Sequence, residues 1–233
     1  MQSVINDFED RVTELKSFFA FLRRLDLADE LVSERSGKRS TTKIEAEWRA
    51  TLKATAYLLI YNMVESSIRD AVIYLYGRVK FRQVSAEKLQ DEIVAIWVEQ
   101  EFRSRDAFSA SARNYLELSR DLVKLATTRA MIDIRCEDLP LAGNLDGHNI
   151  IKLCEKHGLP FTVPKAARGG AGLASVKTAR NALAHGSLSF EECGRNVTVA
   201  ELEQIRKETV IFVRAVLRAF KTYTARRGFL KAS

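Results

Sequence analysis

Arg180, Asn181 and His185 stand close together in the run Arg180-Asn181-Ala182-Leu183-Ala184-His185-Gly186, and these three side-chain types can together bind and break a phosphodiester. A guanidinium offers a planar, permanently charged fork to phosphate oxygens, and an imidazole gives or takes a proton near neutral pH. The sequence shows no paired carboxylates in a metal-binding arrangement. RNA carries its own nucleophile in the 2′-hydroxyl, which DNA lacks. Cleavage by this set therefore points to RNA, with a 2′,3′-cyclic phosphate and a 5′-hydroxyl as the ends. The Arg-to-His spacing carries no weight alone: in a chain with three histidines it is expected about once by chance.

The surrounding residues supply the weight. Upstream stands Gly143-Asn144-Leu145-Asp146, followed by an amphipathic segment ending at Lys156-His157-Gly158. Downstream come Gly186-Ser187-Leu188-Ser189-Phe190-Glu191-Glu192 and then Gly194-Arg195. In that order the chain resembles the MAE group of HEPN-like nucleases, specifically from residue 143 to about 228; before residue 140 it shares only a helical character. The resemblance implies an all-α, HEPN-like helical bundle with long N-terminal helices and a long C-terminal helix. It also implies an endoribonuclease with Arg180 and His185 catalytic and Asn181 assisting, a homodimer with a composite active site, and a toxin-antitoxin or antiphage-defence setting with an antitoxin or defence-system partner. Related toxins carry a tyrosine two residues after the histidine that their antitoxins modify. Here that position is Ser187, which puts that mode of control in doubt.

Several elements must position the motif. Apolar residues at helical spacing predict helices over about Val4 to Leu25, Lys43 to Val79, Ala86 to Phe102 (with Ser85 as N-cap) and Ala107 to Ala130. Residues 131–147, with Pro140, Gly143 and Gly147, read as a loop. A short helix follows from Asn149 to His157 with Gly158 as its stop, then a loop from Pro160 to Gly172, then the motif helix from Ala174 to His185, ended by Gly186. Thr198 and Glu201 form a capping box opening a long helix striped by Leu202, Ile205, Phe212, Val216 and Phe220. His185 then sits in a last turn, where the negative end of the macrodipole favours the imidazolium. Five positions turn an ideal helix by about 500°, so Arg180 and His185 lie some 140° apart. A two-fold dimer joined near this helix would bring the arginine of one copy to the histidine of the other.

Composition bounds the rest. The chain has 233 residues, 46% hydrophobic and 29% charged, enough for a full core, and its three prolines and eleven glycines leave few places for a linker. A single domain over 1–233 is expected, with a helical part at 1–140 and a motif-bearing core at 141–230. Three cysteines without framework spacing indicate a reducing, cytoplasmic location. The acidic start, Met1 to Arg11, lacks a secretory h-region, and the apolar run from Ala56 to Val64 falls short of the ~20 residues a bilayer span needs. No membrane association is expected. The net charge of +7 and pI near 9.4 favour polyanions. Candidate RNA-binding residues are Lys177, Arg168, Arg195, Arg226 and Arg227, against the alternative of a solvated basic face.

Other constellations weigh less. Cys154 and His157, with His148 and Cys136, lack paired ligand knuckles, so neither metal nor cofactor is expected. Arg168-Gly169-Gly170-Ala171-Gly172 lacks a following Lys-Ser/Thr and a preceding strand, and reads as a flexible turn. Tyr57, Tyr61, Tyr74, Tyr76, Trp48 and Trp97 are expected in the core. Gly143-Asn144 and Ser189-Phe190-Glu191 read as loop geometry around the motif. Two other readings stand beside the ribonuclease: a non-catalytic RNA-binding or assembly module, and a DNA nuclease, which would need metal ligands the sequence does not offer.

Overall fold

The computed structural model describes residues 1–35, 38–104, 116–117, 119–121, 123–124, 132, 134–135 and 144–231. Seven helices are followed below: α1 (Gln2–Leu27), α2 (Ala46–Arg82), α3 (Asp91–Ser104), α4 (Gly147–Lys156), α5 (Ala171–Ala184), α6 (Phe190–Arg195) and α7 (Val199–Ala225). The helical reading of the sequence is correct, with one addition. Strands β1 (Glu30–Arg35) and β2 (Lys38–Lys43) form an antiparallel hairpin, registering Glu30 with Lys43 and Val32 with Thr41. The predicted helix over 107–130 and Gly143 lie largely or wholly outside the described residues, as does Cys136.

α2 organises the bundle. Its buried residues, from Ala54 and Tyr57 to Val72 and Tyr76, cover more than half of its circumference and leave one exposed stripe through Thr51, Asn62, Arg69, Ile73 and Gly77, the pattern of a helix packed against several others. It packs against α1, α5, α6 and α7. α1 presents the stripe Val4, Phe8, Val12, Leu15, Phe19 and Leu22, and is clamped to α7 where Glu9 accepts two hydrogen bonds from Arg214, at 2.7 Å each. α7 opens with the expected capping box of Thr198 and Glu201.

Two departures from the predicted elements have clear physical causes. The segment after Ser85 is a single 3-10 turn (Ala86–Lys88) before α3 begins at Asp91, because Leu89 turns inward to full burial. The segment 165–170 is not a free turn. Arg168, Gly169 and Gly170 all have positive φ, and a Cβ on Gly170 would fall 2.9 Å from Gly147 Cα and 3.2 Å from the Phe212 ring. Two backbone segments cross here on glycines, which fixes the start of α5.

His157 closes α4 as a core residue. It is 2% exposed, and its Nδ1 lies 2.7 Å from the Leu153 carbonyl and its Nε2 2.9 Å from the Tyr76 hydroxyl. A proton on Nδ1 satisfies the carbonyl and leaves Nε2 to accept from Tyr76. Burial is the main cause that lowers its pKa to about 4. The unfolded chain takes up this proton near pH 6.5 while the folded one does not, so stability present above pH 6.5 is lost as the pH falls toward 4, by roughly 3 kcal/mol. Thermal denaturation across that range is expected to show the loss in the native chain, and a shallower slope in His157→Gln.

Candidate active site

The motif helix ends in a hydrogen-bonded cap written into its sequence. Gly186, at φ +67°, takes the left-handed conformation. Its N–H donates to the Leu183 carbonyl at 3.3 Å, and the Ser187 N–H donates to the Ala182 carbonyl at 3.0 Å. This is the double bond of a Schellman cap, which glycine permits because it has no Cβ to clash. His185 becomes the C-cap residue, exposed, and its ring meets no hydrogen-bonding or ion-pairing partner among the described residues. The cap at His157-Gly158 has the same bonds, yet there the histidine is buried and used up by the core. Of the two helix-ending histidines, only His185 is open to a substrate.

Arg180 is held differently. It is half-buried, its guanidinium carbon 4.9 Å from the centroid of the Tyr61 ring on α2, and its Nη1 donates to Asn181 Oδ1 at 3.0 Å. Arginine only donates, so the amide oxygen must face it and the Asn181 NH2 remains for another acceptor. Tyr61 is in turn fixed by the backbone N–H of Leu145, which donates to its hydroxyl at 3.4 Å.

The loop before α4 and the motif helix are thus one assembly. Asp146 caps α4 by accepting from the Asn149 N–H at 2.8 Å, and pairs with Lys177, one turn before Arg180. Burial works against ionisation of Asp146, but Lys177 and the Asn149 N–H outweigh it and hold its pKa below the ordinary value. Asn144 contributes its carbonyl to the Asn149 amide at 2.6 Å.

The segment after the histidine is a second short helix rather than a loop. Ser189 and Glu192 form a reciprocal capping box that starts α6. Gly194 then lies against α2 so closely that a Cβ would fall 1.8 Å from the Ala50 carbonyl oxygen. Between α5, α6 and α2 runs a groove of about 720 Å³, lined among others by Tyr57, Thr178, Ala182, Leu188, Cys193 and Asn196. At 100° per residue, His185 falls on the same side of α5 as Thr178 and Ala182. Arg180 falls on the side against Tyr61.

The sequence-predicted basic residues separate into two groups. Lys177 is paired with Asp146, Arg168 Nη1 with Glu208 Oε1 at 3.3 Å, and Arg195 with Glu191. Arg226 and Arg227 follow α7 and are exposed with no acidic partner among the described residues. They are far from the motif. α5 runs antiparallel to α7, since Gly170 meets Phe212 while Ala182 shares its groove with Asn196 and Val197.

Sequence reasoning missed Tyr61 as the platform for Arg180, since an aromatic in an apolar helix reads as core. Tyr57, Tyr76 and Trp97 are buried as expected, Tyr74 is half-buried, and Trp48 is 49% exposed. Cys154 is buried, its thiol pushed up to about 12. Among the described residues no group of three or more His, Cys, Asp or Glu side chains is placed to hold a metal ion, and no helix is long and apolar enough to cross a membrane.

No curated protein and no solved structure matches the chain. The model of the MAE_28990-like HEPN family matches residues 1–229, which extends the likeness back through α1, the hairpin and α2, where the sequence motifs offer only helical character. With the match covering nearly the whole chain and the motif presented on a capped helix end, the protein belongs to the MAE_28990-like HEPN family.

Proposed function

We propose that the protein is a metal-independent endoribonuclease that works as a homodimer, in a toxin-antitoxin or antiphage setting with an antitoxin or defence-system partner. The observation that carries this reading is the contrast at the two ends of the motif: a partner-free, exposed His185 and an Arg180 pre-oriented by Tyr61 and Asn181. The 2′-oxygen attacks the adjacent phosphorus and gives up its proton to solvent water, the bond from phosphorus to the 5′-oxygen breaks, and His185 as imidazolium delivers a proton to that leaving oxygen. Arg180 and the free NH2 of Asn181 bind the non-bridging oxygens and stabilise the added charge of the pentacovalent transition state. The products are a 2′,3′-cyclic phosphate and a 5′-hydroxyl.

Because Arg180 and His185 point to different sides of α5, the pair that meets one phosphate comes from two copies related by a two-fold axis. Of the basic residues, Arg226 and Arg227 are free to touch RNA, whereas Lys177, Arg168 and Arg195 first serve the fold through their ion pairs. The structural role of Lys177 favours its acting on RNA only indirectly, by holding the loop that supports Tyr61.

Incubation with a panel of transfer, messenger and structured RNAs in excess EDTA tests this reading. Cleaved RNA with cyclic-phosphate ends and intact DNA is the expected result. RNA that is bound but never cut would favour the non-catalytic module, and DNA cleaved only with divalent metal would favour the DNA nuclease.

A further inference from the structure

The hairpin of β1 and β2 stands between α1 and α2 with both faces open: every residue from Glu30 to Glu34 and from Arg39 to Lys43 is exposed. A two-stranded ribbon with no covered face is marginal in water. Its base, by contrast, is firmly built. Ile44 is buried, and its N–H donates to the Asp29 carbonyl at 3.0 Å. Arg49 donates from Nη1 to the Asp26 carbonyl at 3.0 Å and from Nη2 to the Ala28 carbonyl at 2.7 Å. The ribbon is thus anchored at one end and extends over six residues per strand, roughly 20 Å.

Its two faces differ in charge. Residues directly opposite in an antiparallel pair share a face, and successive pairs alternate between faces. One face carries Glu30 opposite Lys43, Val32 opposite Thr41 and Glu34 opposite Arg39, so each charge meets its opposite. The other carries Leu31 opposite Thr42, Ser33 opposite Ser40 and Arg35 opposite Lys38. That second face has hydroxyls and cations but no acid, and directly opposed like charges destabilise a ribbon. The ribbon also lies at the motif end of α2. Just beyond its base, Ala50 meets Gly194 of α6, and Lys53 Nζ donates to the Val197 carbonyl at 2.7 Å. Tyr57, which lines the groove beside His185, comes 11 residues after Ala46, the start of α2, roughly 16 Å of helix.

We infer that the hairpin is an arm that grips RNA, its acid-free face lying along the sugar-phosphate backbone of the strand cut at the motif. Arg35 and Lys38 take phosphates, and the hydroxyls of Ser33, Ser40 and Thr42 donate to neighbouring backbone oxygens. A polyanion relieves the like-charge pair and covers the open face together, whereas the same face of a second copy brings no acid to meet that pair. The inference rests on RNA as the substrate of the motif and names the element that holds it.

Fluorescence anisotropy of a labelled RNA hairpin with a single-stranded tail, titrated with the full chain across a salt series, tests the inference. His185→Ala serves as the background, so that the RNA stays whole. Arg35→Ala/Lys38→Ala is expected to weaken binding about tenfold or more and to reduce the log-log salt slope by roughly 1.4, for two phosphates. The melting temperature should hold or rise, since a like-charge pair is removed. Ser40→Glu, which puts an acid on the acid-free face, should also weaken binding about tenfold. Glu34→Gln/Arg39→Gln, a charge-neutral change on the compensated face, should leave affinity within about twofold. Affinity and salt slope unchanged by Arg35→Ala/Lys38→Ala and by Ser40→Glu would overturn the inference, while RNA cleavage by the native chain would leave the ribonuclease reading standing. Loss of affinity that tracks dissociation of the dimer, read by sedimentation of the same samples, would assign the ribbon to a subunit interface and overturn it as well. A native chain that neither binds nor cuts RNA would overturn both.

Discussion

His185→Ala is expected to lower RNA cleavage by about 100-fold to 10,000-fold, the usual contribution of a positioned proton donor, with little change in melting temperature. The side chain is exposed and has no partner among the described residues, and such surface changes usually stay within about 0.5 kcal/mol. Arg180→Ala should cost at least about 100-fold in rate, as for removal of one charge-stabilising donor. Its effect on stability differs from that of His185, because the guanidinium is half-buried over Tyr61. Loss of that contact is expected to cost about 1 kcal/mol, or roughly 2–4 °C. Both effects are read by initial rates on one RNA and by thermal denaturation of the same preparations. Mixing the two inactive variants under subunit exchange should restore roughly a quarter of native activity, since half of randomly formed dimers are mixed and each mixed dimer holds one intact pair of two. Mixed dimers that stay inactive would mean that the working Arg180 and His185 belong to one copy.

Gly194→Ala has the largest expected effect on stability. The added carbon would fall 1.8 Å from the Ala50 carbonyl oxygen and 2.5 Å from the Ala50 carbonyl carbon. Both are backbone atoms of α2 and cannot swing aside as a side-chain tip can. α6 must therefore lift from α2, at a cost of about 3 kcal/mol or more, which corresponds to roughly 6–12 °C in melting temperature. Gly77→Ala is the matched control. It lies within α2, where an added Cβ would meet nothing within 4 Å, and alanine there should stabilise by up to about 1 kcal/mol. Equal melting temperatures for Gly194→Ala and the native chain would contradict the packing described for α6.

Legibility in the sequence follows how local each determinant is. The cap at His185-Gly186, the stop at Gly158 and the capping box at Thr198 each depend on residues within one turn, and all are readable. The box at Ser189 and Glu192 is equally local, and escapes notice because the helix it starts is only six residues long. The hairpin's signal, a Ser36-Gly37 dipeptide between runs containing Val32, Thr41 and Thr42, is weak beside the long helical stripes that flank it. Tyr61, Leu145 and Asp146 cannot be tied to Arg180 and Lys177 from spacing. Even the shortest of these links, between Asp146 and Lys177, joins residues 31 positions apart. The glycines at 147, 170 and 194 belong to the same class: each is required by a backbone approaching from elsewhere in the chain. What stays hidden is therefore the support of the motif helix rather than its local caps.

The most direct measurement of the central claim uses one RNA in which the nucleotide 5′ to a mapped cleavage point carries a 2′-deoxy sugar and is otherwise unchanged. The 2′-hydroxyl is the nucleophile in the mechanism assigned to Arg180 and His185, so that linkage should survive in EDTA while unmodified linkages elsewhere in the strand are still cut. Continued cleavage at the deoxy position, leaving ends other than a 2′,3′-cyclic phosphate and a 5′-hydroxyl, would contradict it.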